Sequence, residues 1–240
     1  MIKLSDVSFT YGDEQTADGV KNISFHAERG ECVLFCGVSG SGKSTVLKLI
    51  NGIIPSFDSG KLNGKICING RDVSDMPIYE RAMLVSSVFQ NPKTRFFNTD
   101  VESEIVYALE NLGTPVDEIE RKLNHTVTEL QLSKLCGRSM FELSGGEKQQ
   151  VAFASAYIND TPVVVLDEPS SNLDEESIIR IRNIMVKMKA QAKTIVIAEH
   201  RILYLKGLVD TVYLVENGII SKRYLAEEFF CMADEERKSM

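Results

Sequence analysis

The sequence predicts an α/β fold built on a mainly parallel sheet, and three stretches predict it. Residues 32–36 and 163–166 are short, continuous apolar runs, and 194–198 is a third run, apolar after Thr194; the last two are rich in Val and Ile. That is how strands buried on both faces of a parallel sheet read. Helical spacing follows the first run (Val46, Leu47, Leu49, Ile50) and the second (Ile178, Ile181, Met185, Met188), so strands and helices alternate. The first run also breaks into Gly37-Val38-Ser39-Gly40-Ser41-Gly42-Lys43-Ser44 before its helix, which stops at Asn51-Gly52. Strand, glycine loop and helix in that order form a phosphate-binding loop: glycines admit a phosphate close to the backbone, and the helix amino end attracts it. Lys43 is then expected on the β- and γ-phosphates and the Ser44 hydroxyl on Mg²⁺.

A chain of 240 residues has room for one large domain, or a core with a smaller subdomain attached. Its net charge of −7 argues against a general nucleic-acid or anionic-membrane footprint. No apolar run approaches the ~18 residues of a membrane span, and the first residues lack the apolar core of a signal peptide. Five cysteines form no CxxC pair, and two of them (Cys32, Cys36) fall in the first predicted strand. Buried reduced thiols, and with them a cytoplasmic location, are therefore expected rather than disulfides or zinc.

In chain order, residues 2–9 and 20–27 alternate and read as strands, joined by a polar loop that starts at Tyr11-Gly12-Asp13. Tyr11 either stacks on a base or packs at a strand end. Residues 55–64 read as a loop, and 65–70 as a short strand closed by an Asn69-Gly70 turn. The run 84–89 ends at Gln90-Asn91-Pro92, where Pro92 disfavours helix and leaves Gln90 at the junction of strand and loop. Two helices follow, the first on Val101, Ile105, Ala108, Leu109 and Leu112 with Gly113 as its stop, the second on Ile119, Leu123, Val127 and Leu130. A third begins at Ser144, where Ser144 and Glu147 have capping-box spacing. Gly145 and Gly146 are poor helix formers that a cap does not need, so both are assigned to close approach of a ligand. Asp167-Glu168 at the end of the second buried strand call for a counter-ion, which Mg²⁺ with a nucleotide would supply. Residues 211–215 and 219–221 form a hairpin around Asn217-Gly218. The tail from Leu225 is amphipathic through Phe229 and Met232, serving either packing or a dimer contact.

These pieces in this order resemble the nucleotide-binding subunit of ABC transporters along nearly the whole chain. Residues 37–44 look like Walker A, Gln90 like the Q-loop, and 143–150 like the LSGGE/Q signature. Residues 163–168 look like Walker B with its following glutamate, 171–174 like the D-loop, and His200 like the switch histidine. Within the family, Phe89-Gln90-Asn91-Pro92 with Phe97-Asn98-Thr99, Val101-Glu102 and Glu104, together with Ala198-Glu199-His200-Arg201, resemble the ATPases of energy-coupling factor (ECF) transporters. Lys93-Thr94-Arg95 departs from that pattern, standing where a more acidic or amide-rich stretch is expected.

The resemblance implies a P-loop NTPase (RecA-like) core with a mainly parallel sheet, an antiparallel β subdomain and an α-helical signature subdomain. Residues 1–240 form a single ABC ATPase domain: 1–90 and 160–222 give the core with its β subdomain, 91–159 the helical subdomain and 223–240 a helical tail. It implies ATP and Mg²⁺ as cofactors, with ATP held by Tyr11, Gly37, Ser39, Gly40, Ser41, Gly42, Lys43, Ser44 and Thr45. Across a dimer interface, Ser144, Gly145, Gly146, Glu147 and Asp174 complete the site. Ser44, Gln90 and Asp167 are implied at the metal, Glu168 as general base, His200 at the γ-phosphate, and Gln90 as the sensor that passes closure onward. The implied function is to power an ECF-type importer of a vitamin or transition-metal ion from the cytoplasmic face of the membrane. Implied partners are a second ABC ATPase, equal or different, a transmembrane coupling subunit and a substrate-binding membrane subunit, with no nucleic acid. Phe96 and Phe97 either line a groove for a partner's helix or pack the domain. The alternatives are another ABC transporter type or a soluble ABC ATPase.

Overall fold

The computed structural model describes residues 1–12, 19–90 and 96–233. The expectations at Asp13, Asn91-Pro92 and Lys93-Thr94-Arg95 lie outside these residues. The chain divides into two compact units, one of Met1–Ser87, Thr161–Glu168 and Lys189–Met240, the other of Val88–Asp160 and Pro169–Met188.

The first unit holds two sheets. Strands β1 (Ile2–Tyr11), β2 (Gly19–Ala27), β4 (Gly60–Ile68) and β5 (Arg71–Asp72) form an antiparallel sheet in the order β2-β1-β4-β5. Strands β3 (Cys32–Cys36), β6 (Val85–Val88), β7 (Val163–Asp167), β8 (Thr194–Ala198), β9 (Thr211–Glu216) and β10 (Ile219–Leu225) form the other, in the order β10-β9-β3-β8-β7-β6. The pairs β3–β8, β3–β9 and β7–β8 are parallel, and β9–β10 is an antiparallel hairpin turned at Asn217 and Gly218, with φ of 52° and 78°. All five residues of β3 and of β8 are buried, as expected of strands covered on both faces, and Thr194 is the one polar residue among them. Phe35 of β3 is stacked on Tyr213 of β9 at 5.5 Å and meets Phe25 of β2 edge-on at 5.0 Å, so rings from both sheets share one core. Helix α1 (Lys43–Asn51) follows β3 and buries Val46, Leu47, Leu49 and Ile50 in that core. The one-turn helices α2 (Ile53–Ser56) and α3 (Ile78–Arg81) come later in the same unit.

The loop expected over 55–64 is corrected: β4 already begins at Gly60, paired Tyr11↔Gly60 and Phe9↔Leu62 with β1. A Cβ at Gly60 would sit 2.3 Å from the Thr10 carbonyl oxygen and 2.4 Å from the Phe9 ring. The glycine that read as loop composition is a close approach between neighbouring strands.

The second unit is helical. It contains α4 (Val101–Asn111), α5 (Val116–Glu129), α6 (Gly145–Ile158) and most of α7 (Glu175–Ala190). Asp100 caps α4 by accepting from Ser103 N at 2.9 Å. Residues 169–188 cluster with these helices, whereas the sequence reading placed them with the core. Their bonds explain it: Gln149 Nε2 donates to Pro169 O at 3.1 Å, and Lys187 Nζ to Glu129 Oε1 at 2.8 Å. The final helix, α8 (Ala226–Cys231), belongs to the first unit and buries Phe229 and Phe230. Helix α8 thus packs within its own chain through these two rings. All five cysteines are free, and burial pushes the Cys32 and Cys36 thiols up to about 12. Among the described residues no helix is long and apolar enough to cross a membrane.

Candidate active site

In the first unit, β3 delivers the glycine loop, β7 delivers Asp167 and Glu168, and β8 delivers His200, all from the carboxyl ends of adjacent parallel strands. That end is where open α/β sheets bind ligands. The loop wraps Lys43, whose Nζ donates to Gly37 O at 2.8 Å and Val38 O at 2.9 Å. Burial lowers its pKa against the opposing pull of Glu168, Cys36 and Asp167. Ser39 and Gly40 are exposed, Ser41 is buried, and Gly42 caps α1 at φ 109°. The Ser44 hydroxyl donates to Asp167 Oδ1 at 2.9 Å. Desolvation still raises the Asp167 carboxyl above its ordinary range, with the Ser44 bond opposing.

Glu168 sits in the left-handed region at φ 45°, its N–H bonded to Ala198 O at 2.9 Å. From there its Oε1 lies 3.2 Å from His200 Nε2. Tyr11 is half-buried, its ring edge-on to Phe9 at 4.9 Å and its hydroxyl 3.2 Å from Thr45 Oγ1. The ring thus packs at the strand end and is tied to the loop helix as well. The structure therefore gathers Tyr11, residues 37–45, Asp167, Glu168 and His200 in one unit.

The second unit holds Gln90, the 144–147 segment and Asp174. Gln90 Nε2 reaches Ser171 Oγ at 3.4 Å. Asp174 Oδ1 accepts from Ser177 N at 2.8 Å, the geometry of a helix cap for α7, and the two Ser177 bonds lower its pKa. The capping box expected of Ser144 and Glu147 is present: Glu147 N donates to Ser144 Oγ at 3.3 Å, and Ser144 N to Glu147 Oε2 at 2.8 Å. The two glycines differ in what surrounds them. A Cβ on Gly146 would lie 2.0 Å from Ser177 Oγ, so packing inside the chain demands that glycine. One on Gly145 would meet nothing within 4 Å, so only that position is left open.

Sequence reasoning missed Arg138, whose Nη1 donates to Glu147 Oε1 at 2.7 Å. A cation nine residues before a motif has no periodic or spacing signal. Missed too were Thr45 as the partner of Tyr11 and Ser171 as the partner of Gln90. Phe97 is exposed and stacked on Tyr107 at 4.7 Å, so it packs one face and shows the other.

The model of the family described as ABC transporter matches residues 20–171. The chain belongs to that family. An ABC transporter ATP-binding protein of Treponema denticola is 45% identical over 240 residues, all of this chain and 49% of its own length. Another, of Lactobacillus johnsonii, is 35% identical over 92% of this chain and 39% of its own length. The chain thus spans about half, or less, of the curated relatives it matches. Among solved structures, cbiO1 of Clostridium perfringens, part of the ABC transporter complex cbiONQ, is 27% identical with a TM-score of 0.85, covering 99% of this chain and 93% of that one. An ATP-binding cassette solved as a dimer with ADP and Pi shares the fold, at 24% identity and a TM-score of 0.78 over 94% of this chain and 99% of that one.

Fit to ATP and Mg²⁺ is tested by donor chemistry. Ser44 and Asp167 offer two hard oxygens in contact, and desolvation of the half-buried Asp167 carboxyl outweighs the opposing pull of Ser44, Lys48 and Lys43. Among the described residues no group of three or more His, Cys, Asp or Glu side chains could hold a metal by itself. Two protein oxygens with the remainder from phosphate and water is how Mg²⁺ binds at nucleotide sites, so this ABC family chain fits the pair.

Proposed function

We propose that this chain is the ATP-hydrolysing subunit of an ECF-type importer for a vitamin or transition-metal ion. In this reading it works on the cytoplasmic face of the membrane beside a second ATPase, a transmembrane coupling subunit and a substrate-binding membrane subunit. The observation that carries the enzyme part is the Glu168–His200 pair at 3.2 Å, one residue beyond the Asp167 that holds Ser44 of the phosphate loop. Support for the ECF type comes from residues 89–92, 97–99, 101–102, 104 and 198–201 and from the likeness to cbiO1 of the complex cbiONQ.

Loop amides and the amino end of α1 bind the phosphates, and Lys43 leaves the carbonyls of Gly37 and Val38 to meet the β- and γ-oxygens. Ser44 and Asp167 would hold Mg²⁺, which supplies charge neutralisation on the phosphate oxygens when bound. Glu168 takes the proton of the attacking water, and His200 holds the carboxylate in line and stabilises charge at the γ-phosphate. Tyr11 offers its ring to the adenine. Ser144 and Gly145, at the amino end of α6, receive the γ-phosphate of an ATP held by a second cassette. Gln90 senses Mg²⁺ and the γ-phosphate and passes closure to the membrane partner, and Asp174 completes the site across the dimer interface.

The test is phosphate release by the purified chain with Mg-ATP. Turnover that vanishes in Glu168→Gln supports the reading, and a flat trace for the unmodified chain overturns it. Recovery of a small substrate-binding membrane protein with the chain tests the ECF assignment.

A further inference from the structure

We infer that Arg138 is a positioning residue that neutralises Glu147 and so keeps the amino end of α6 receptive to a phosphate. The inference rests on the reading above, in which that helix end meets the γ-phosphate of an ATP held by a second cassette, taken here to be another copy of this chain.

Glu147 presents a conflict. At the third position of α6 its carboxylate favours the helix, because the capping box occupies one oxygen and the helix amino end is positive. The same negative charge stands within a turn of the open Gly145, where a triphosphate is to approach. Like charges so close oppose binding by Coulomb repulsion, most strongly where water is excluded.

Arg138 resolves the conflict. Its Nη1 donates to Glu147 Oε1 at 2.7 Å, while Ser144 N donates to Oε2 at 2.8 Å, so both carboxylate oxygens are engaged. Together these donors hold the Glu147 carboxyl below its ordinary pKa, the Ser144 N–H first and Arg138 next. The second arm, Nη2, donates to Glu142 O at 3.2 Å, just ahead of Leu143 and Ser144. One guanidinium thus spans the backbone entering the cap and the side chain closing it, a use for which its fork is suited and an ammonium is not. Arg138 is fixed in turn by its backbone, which accepts from Val101 N at 3.3 Å and donates to Leu135 O at 3.2 Å. The partners are partly exposed, 35% for Arg138 and 24% for Glu147, so replacing either leaves the core intact.

The experiment is Mg-ATP-dependent dimerisation, measured by light scattering in a Glu168→Gln background, where hydrolysis does not disperse the complex. Arg138→Met is expected to weaken dimerisation about tenfold, because it leaves the Glu147 charge unpaired beside the incoming phosphate. Binding of a fluorescent ATP analogue to the monomer stays as it was. Adding Glu147→Gln to Arg138→Met removes the stranded charge and restores most of the dimer. Arg138→Lys keeps the cation but drops the arm to Glu142, and retains part of the dimerisation that Arg138→Met loses. A dimer untouched by Arg138→Met, a double variant that stays defective, or an Arg138→Lys loss equal to that of Met overturns the role of Arg138 while the two-copy site stands. A Glu168→Gln parent that never dimerises with Mg-ATP overturns the two-copy site, and the role of Arg138 with it.

Discussion

Oε1 of Glu168 stands 3.2 Å from Nε2 of His200 because the two leave adjacent parallel strands at the same level. Asp167 pairs with Ala198 in register, and each functional residue lies just past that pair. The left-handed φ of 45° at Glu168 turns its side chain toward the histidine, a conformation that costs a non-glycine residue stability and persists here through the N–H bond to Ala198 O. Glu168→Gln is expected to lower kcat for phosphate release by about a hundredfold or more, the usual share of a general base, with ATP binding little changed. His200→Ala should fall in the same direction. Steady-state phosphate release beside equilibrium nucleotide binding checks both, and an equal loss in binding would remove them from the chemical step.

Asp167 gives a prediction with a definite sign. Burial raises its folded pKa above the unfolded value, so the folded chain holds its proton more tightly. Its contribution to stability is therefore undiminished at low pH and is lost as pH rises from the ordinary carboxylate range through the raised value. Asp167→Asn keeps an oxygen for the Ser44 hydroxyl and abolishes the titration. Without nucleotide, the variant should melt higher than the parent at neutral pH and lose that advantage in acid. Mg²⁺ should then no longer tighten ATP binding. Thermal melts at several pH values and nucleotide titrations with and without Mg²⁺ decide it.

How far the sequence spoke for itself depended on whether one residue carried one constraint. The run 32–36 is apolar at every position, and 194–198 at every position after Thr194, because both sheet faces are covered, and each became a strand with those bounds. Ser144 and Glu147 stand at a fixed spacing because a cap is local, and the box is there. Gly60 was opaque because the atoms that exclude a side chain, at Phe9 and Thr10, lie some fifty residues earlier in the sequence. Arg138 was opaque for the same kind of reason, since its value comes from a carboxylate that only folding brings within 2.7 Å. The helix of Ile178, Ile181, Met185 and Met188 reads from its own periodicity, yet the bonds of Pro169 to Gln149 and of Lys187 to Glu129 determine which unit claims residues 169–188.

The tail supplies a test of packing. Phe229 is 1% exposed, with Tyr224 at 5.8 Å and Phe230 at 5.5 Å. Phe229→Ala should destabilise the chain by about 3–5 kcal/mol, as large aromatic truncations in cores do. The loss is read by denaturant unfolding and should not depend on protein concentration. A concentration-dependent midpoint would instead put Phe229 in a contact between copies.

The adjacent glycines 145 and 146 allow the sharpest separation of folding from function. Ala at 146 drives a Cβ to 2.0 Å from Ser177 Oγ and 2.8 Å from Ser177 Cβ, and the clash joins two helices of one unit. Overpacking of that kind costs about 1–3 kcal/mol, so Gly146→Ala should lower the melting temperature, and Ser177→Gly should restore part of it. Gly145→Ala meets no neighbour within 4 Å and should leave folding unharmed, since Ala is the better helix former. Its methyl group enters only the open side of the helix end. If a phosphate docks there, Gly145→Ala weakens Mg-ATP-dependent dimerisation and turnover while the melting curve stays in place. A Gly145→Ala chain with unaltered dimerisation and turnover would show that no ligand comes so close, and the amino end of α6 would then be a capped helix and nothing more.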